Sequence, residues 1–117
     1  MDFKEENFPV YQQLVKNGEF GVERAISDFE AALKGGDQEK YNFALGIQTI
    51  AANVPVGEIP CVTKEMNEKT LRSCFAIFED IASRGHADAA FMVADFKRRG
   101  LGQVSRPSVQ KPKSWKL

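Results

Sequence analysis

Leu71 to Gly102 reads LRSCFAIFEDIASRGHADAAFMVADFKRRGLG, and the class of the whole chain follows from its spacing. Leu71, Cys74, Phe75, Phe78, Ile81 and Ala82 recur at steps of three and four, which is one stripe of an α-helix. The link Ser83-Arg84-Gly85-His86 contains a glycine able to take the left-handed conformation that ends a helix. Ala89, Ala90, Val93 and Phe96 then resume the helical rhythm, so the stretch predicts a helical hairpin. Its first helix has a twin. Val22, Ala25, Ile26, Phe29, Ala32 and Leu33 show the same spacing, each displaced by 49 positions (71 less 22). A period of this kind predicts a stacked helical array.

Outward from that stretch, Pro9 suits a first helical turn, with Asn7 as its cap and Val10, Tyr11, Leu14 and Val15 as an apolar face up to Asn17-Gly18. The polar residues 1–8 before it are expected to fray. A second helix is predicted over about Val22 to Lys34, closed by Gly35-Gly36, and a third from a cap at Asp37 to about Asn53, burying Phe43, Ala44, Ile47, Ile50 and Ala51. Pro55, Gly57 and Pro60 make residues 54–63 an irregular loop. A fourth helix starts near Thr63 or Asn67 and runs to about Arg84; a fifth covers about Ala87 to Arg99, stopped by Gly100 and Gly102. The expected fold is therefore all-α: five helices in a short solenoid of antiparallel hairpins. It divides into a helical-repeat domain over 1–102 and a basic flexible tail over 103–117, with Trp115 the tail's single aromatic residue. Ala25, Ala32, Ala82, Ala89 and Ala90 are expected at close helix approaches, with Phe29, Phe43, Phe78, Phe91 and Phe96 filling the gaps.

Composition narrows the function. The formal net charge is zero, but all 16 acidic residues precede Gly102, while Arg106, Lys111, Lys113 and Lys116 follow it. An acidic body argues against broad contact with nucleic acid, which needs cations clustered on the folded surface. No apolar run reaches the length of a membrane span, and MDFKEENF has acids where a secretory leader carries basic and then apolar residues. A cytoplasmic protein without membrane contact is expected. Cys74 falls on an apolar stripe and reads as core. Cys61 falls in the loop, where pairing with Cys74 would require export. No Cys-x-x-Cys or His-rich spacing suggests a metal, and no cofactor is expected.

At this point the run from Phe78 to Gly102 resembles the Sel-one-like repeat, a relative of the tetratricopeptide repeat. Phe78, Ala82, Gly85, Ala89, Val93, Gly100 and Gly102 fill its pattern of aromatic, small and glycine positions, while Ile81 and Ala94 depart from it. Phe29, Ala31, Ala32, Gly36, Leu45 and Gly46 match an earlier copy within one residue of register, and Gly18 with Gly21-Val22 resembles the loop of a preceding half repeat. The resemblance covers about residues 9–102, roughly two and a half repeats, with the surplus length in the Pro-rich loop. It implies a scaffold for protein assembly and carries over no catalytic residue.

The individual sites agree with a non-enzymatic reading. His86 is the sole histidine and falls in a turn; Glu5-Glu6, Glu65, Glu68 and Glu79-Asp80 read as solvated faces; Gly35-Gly36-Asp37 lacks the lysine and hydroxyl of a phosphate loop. In a stacked array the first helix of each pair lines the concave side. Tyr41, Gln48, Asp88, Asp95 and Arg98 lie off the apolar stripes and are the expected partner surface, with Val56 and Ile59 of the loop as a second contact. The expected function is an adaptor, or an inhibitor of the immunity-protein type, bound to another protein. The alternative is a nucleic-acid-associated protein using a basic end of Lys97, Arg98, Arg99, Lys111 and Lys113. The open end of the stack also leaves room for a homodimer.

Overall fold

Phe43 stands at the centre of a five-ring aromatic cluster, its centroid 5.6 Å from Phe3, 5.0 Å from Phe8, 5.2 Å from Tyr11 and 5.2 Å from Phe29. The helices that bring these rings together belong to a computed structural model describing residues 3–19 and 21–101, within which all regular structure is helical. A 3-10 turn, Glu5–Asn7, leads into α1 (Pro9–Asn17), followed by α2 (Val22–Lys34), α3 (Asp37–Asn53), α4 (Lys64–Ala82) and α5 (Ala87–Arg99). The main packing pairs are α2 with α3, α3 with α4 and α4 with α5, while α1 rests chiefly on α4. No described helix is long and apolar enough to cross a membrane.

The stripes bury largely as their periodicity requires. Leu71, Cys74, Phe78 and Ile81 of α4, Phe29 and Ala32 of α2, and Phe43, Ala44, Ile47 and Ala51 of α3 are buried in one core with Ala89, Met92 and Phe96 of α5. A second, smaller cluster joins Val10 and Leu14 of α1 to Val62, with Ile50, Ile59 and Met66 against it. Cys74 is fully buried and burial pushes its thiol pKa far up, so it is inert packing; Cys61 is exposed and both thiols are free.

Four local expectations give way. Residues 3–8, the described part of the segment before Pro9, do not fray: Phe8 is 0% exposed and Phe3 stacks on Phe29 at 5.1 Å. A pair of aromatics flanking a 3-10 turn has no α-helical period, so it is invisible to a search at steps of three and four. Phe8, not Asn7, occupies the N-cap of α1. The backbone N–H of Val10 instead donates to Thr70 Oγ1 at 3.1 Å, while the Thr70 hydroxyl donates to the Met66 carbonyl at 2.9 Å. A free donor of the first turn is thus satisfied by another helix. At α3 the N-cap is Gly36, whose N–H donates to Glu39 Oε1 at 2.9 Å, leaving Asp37 for an ion pair described below. Leu33 and Phe91, expected inside, are 56% and 65% exposed, and Ala90 is exposed as well. Each lies at the edge or back of its stripe, where periodicity alone does not say which neighbour arrives.

The turns obey simpler rules. Gly85 has φ +94° and Gly100 φ +70°, left-handed values that side-chain-bearing residues rarely adopt. Gly35 is required for a different reason: a Cβ there would stand 2.8 Å from the carbonyl oxygen of Ala31. Thr63 caps α4, its Oγ1 accepting from Met66 N–H at 3.1 Å, which settles the start of that helix at Lys64.

Candidate binding groove

Small residues on two neighbouring helices leave the surface recessed. Gly21 and Ala25, four apart at the start of α2, face Gly46 and Ile50, four apart on α3. Between them lies a cavity of about 140 Å³ lined also by Arg24, Asp28, Phe43 and Ile47. A second cavity of about 230 Å³ shares Gly21, Ala25 and Ile50 with the first and continues past Val22 to Leu14, Glu19, Val54 and Ile59. The Pro-rich loop therefore forms one wall, held down by Val62, which is buried, and by Pro60, whose carbonyl accepts from Asn17 Nδ2 at 2.9 Å. The floor is apolar, and the rim carries Glu19 and the Arg24–Asp28 pair, 3.7 Å apart. Such a recess has room for a bulky apolar side chain, with polar groups at its edge to orient it.

The turn between α4 and α5 is polar and closely bonded. His86 caps α5: its Nδ1 accepts from Ala89 N–H at 3.1 Å, and its Nε2 lies 2.9 Å from Gln38 Oε1. With Nδ1 an acceptor, Nε2 carries the proton and donates to Gln38. The ring also lies 4.9 Å from Tyr41, so the sole histidine has a structural task in the turn.

The residues expected at a partner surface are scattered. Tyr41 is half-buried between His86 and Phe78, and burial, followed by the nearby Asp88 carboxylate, raises its hydroxyl pKa. Gln48 is not at the surface: it is 6% exposed, its Nε2 donating to Thr49 Oγ1 at 3.0 Å and its Oε1 without a partner among the described residues. It sits on the buried face of a long α3 that packs against both α2 and α4, so one stripe did not exhaust the buried surface. Asp88 is exposed in the first turn of α5. Asp95 is engaged by two neighbours, Arg98 and, at 3.0 Å, Arg99, which ties two of the three described cations of the basic end to an acid of the same helix. Lys97 is exposed. Val56 is 49% exposed, whereas Ile59 is half-buried in the groove wall. Lys111, Lys113 and Trp115 lie outside the described residues. The groove brings together Val22, Ala25, Gly46, Ile47, Ile50 and Ile59, of which only Ile59 was among the expected contacts. The available signal was a glycine inside the predicted third helix, Gly46, together with Gly21 and Ala25 four apart at the start of the second.

Among the described residues no group of three His, Cys, Asp or Glu side chains could hold a metal ion. No family model, curated protein or solved structure matches the chain.

Proposed function

We propose that the chain is a non-enzymatic protein-interaction module of the cytoplasm, an adaptor or an inhibitor of the immunity-protein type. It receives an apolar segment of its partner in the groove between α2, α3 and the Pro-rich loop. The observation that carries this reading is Gly46. It is the one glycine inside a helix among the described residues, and a Cβ there would meet nothing within 4 Å. A glycine in a helix interior costs about 1 kcal/mol relative to alanine. Nothing in the packing around Gly46 asks for that cost, whereas keeping the recess open does.

The Sel-one-like repeat reading draws support from burial at the 49-residue spacing. Phe29 and Phe78 are both buried, as are Ala32 and Ile81, and the relation continues into the following helices with Phe43 and Met92 and with Ile47 and Phe96. In each unit the aromatic of the first helix meets one from the second, Phe29 with Phe43 at 5.2 Å and Phe78 with Phe96 at 5.5 Å. A pair of stacked helical hairpins accounts for both regularities.

The test is site-specific photo-crosslinking in the native host from Ile50 and, as a control, from Glu79 on the exposed face of α4. A single protein crosslinked from position 50, and lost in Ala25→Arg, supports the reading. Equal labelling from both positions, or co-purified nucleic acid released by moderate salt, overturns it, the latter in favour of the basic-end alternative.

A further inference from the structure

We infer that the outer face of α5 is a contact between two copies of this chain, packed antiparallel about a two-fold axis. α5 is covered on one side by α4, and on the other it shows Ala87, Ala90, Phe91 and Ala94, all exposed and spaced i, i+3, i+4, i+7. Phe91, at 65%, is the most exposed of the large hydrophobic residues described. An apolar ridge built on one helix fits another helix, and the charges on its flanks select which one.

Asp88 stands in the first turn and Arg98 in the last, ten residues or about 15 Å apart along the axis. A parallel neighbour would set like charge against like. An antiparallel copy in the register that seats Phe91 over the partner's Ala94 brings Asp88 to within one residue's rise of the level of the partner's Arg98. By symmetry the same pair forms twice. In antiparallel packing each flank of a helix meets the same flank of its twin. Asp88 and Arg98 lie about 80° apart around the helix at 100° per residue, close enough for the long arginine side chain to span. Arg98 is 69% exposed while bonded to Asp95, so its guanidinium has edges left for a second carboxylate. The antiparallel arrangement also sets opposite ends of the two helix dipoles together.

Helix length sets the strength. A helix of 13 residues is about 20 Å long and offers far less than the about 800 Å² per partner of a tight complex, so the association is reversible. This surface lies apart from the groove, and neither proposal rests on the other.

Sedimentation velocity of the full chain from about 5 to about 500 µM is the test, with circular dichroism verifying that each variant folds. The wild type is expected to move from monomer toward dimer across that range. Phe91→Lys, a surface change, should weaken association at least about tenfold. Asp88→Arg should do the same, and adding Arg98→Asp should restore most of the loss. A wild type that stays monomeric throughout overturns the inference, as does a dimer untouched by Phe91→Lys. So does a charge swap that leaves association as weak as in the single variant.

Discussion

Arg84 grips Asp37 across 47 residues of sequence through two parallel hydrogen bonds, Nη2 to Oδ1 at 2.7 Å and Nε to Oδ2 at 2.8 Å. The same guanidinium reaches Asp80, one turn back on α4, from Nη1 at 2.9 Å and Nη2 at 2.8 Å. The start of α3 and the end of α4 are thus held side by side by one planar cation, a geometry lysine could not reproduce. Beside it His86 bonds Gln38, so the turn after α4 is tied to the first turn of α3 twice.

The pair makes stability depend on acid. The Arg84 hydrogen bonds hold the Asp37 and Asp80 carboxyls below the usual carboxylate range. Groups with a lowered folded-state pKa contribute stability that is complete above the unfolded value, about 3.9, and is lost as pH falls through the folded value. Arg84→Met should therefore unfold at lower urea than wild type at pH 7, and the gap between their midpoints should close below about pH 3.9. A gap unchanged between pH 7 and pH 3 would show that the arginine acts through packing instead.

Two phenylalanines should behave oppositely to their expectations from sequence. Phe8→Ala, in the segment expected to fray, should cost about 3 to 5 kcal/mol because the ring is fully buried. Phe91→Ala, expected in the core, should change stability by no more than about 0.5 kcal/mol. Urea denaturation of both variants at low protein concentration checks the contrast.

Thr70→Val should cost about 1 to 3 kcal/mol despite its similar shape. It leaves the Val10 N–H of α1 without the acceptor that now stands 3.1 Å away in a buried position. Thr70→Ser keeps the hydroxyl and should lose less, and a Thr70→Val variant as stable as wild type would show that the hydroxyl bond to Val10 contributes nothing.

Gln48→Met should raise stability by about 1 kcal/mol. The amide oxygen it removes is buried without a partner among the described residues, and an apolar side chain of similar length has nothing to leave unpaired. A lower urea midpoint in this variant would mean that the oxygen is bonded in solution, by water for example.

The chain's own order of residues determined its local structure. α2 and α5 begin and end where the stripes, glycines and charges of the sequence put them, because helical periodicity and left-handed glycine turns are properties of neighbouring residues. Tertiary structure decided what those helices meet. Phe8 became core, with the half-buried Phe3 packed against it, because α2 and α3 brought aromatic rings to them, Gln48 was enclosed because α3 is flanked by both α2 and α4, and Asp37 left its cap because Arg84 arrived from a distant turn. The groove has the same origin: Gly21, Ala25 and Gly46 are ordinary small residues until two helices set them face to face. A stripe records that a helix has a side to hide, but burial and recess belong to pairs of elements, and their partners are chosen only when the whole chain packs.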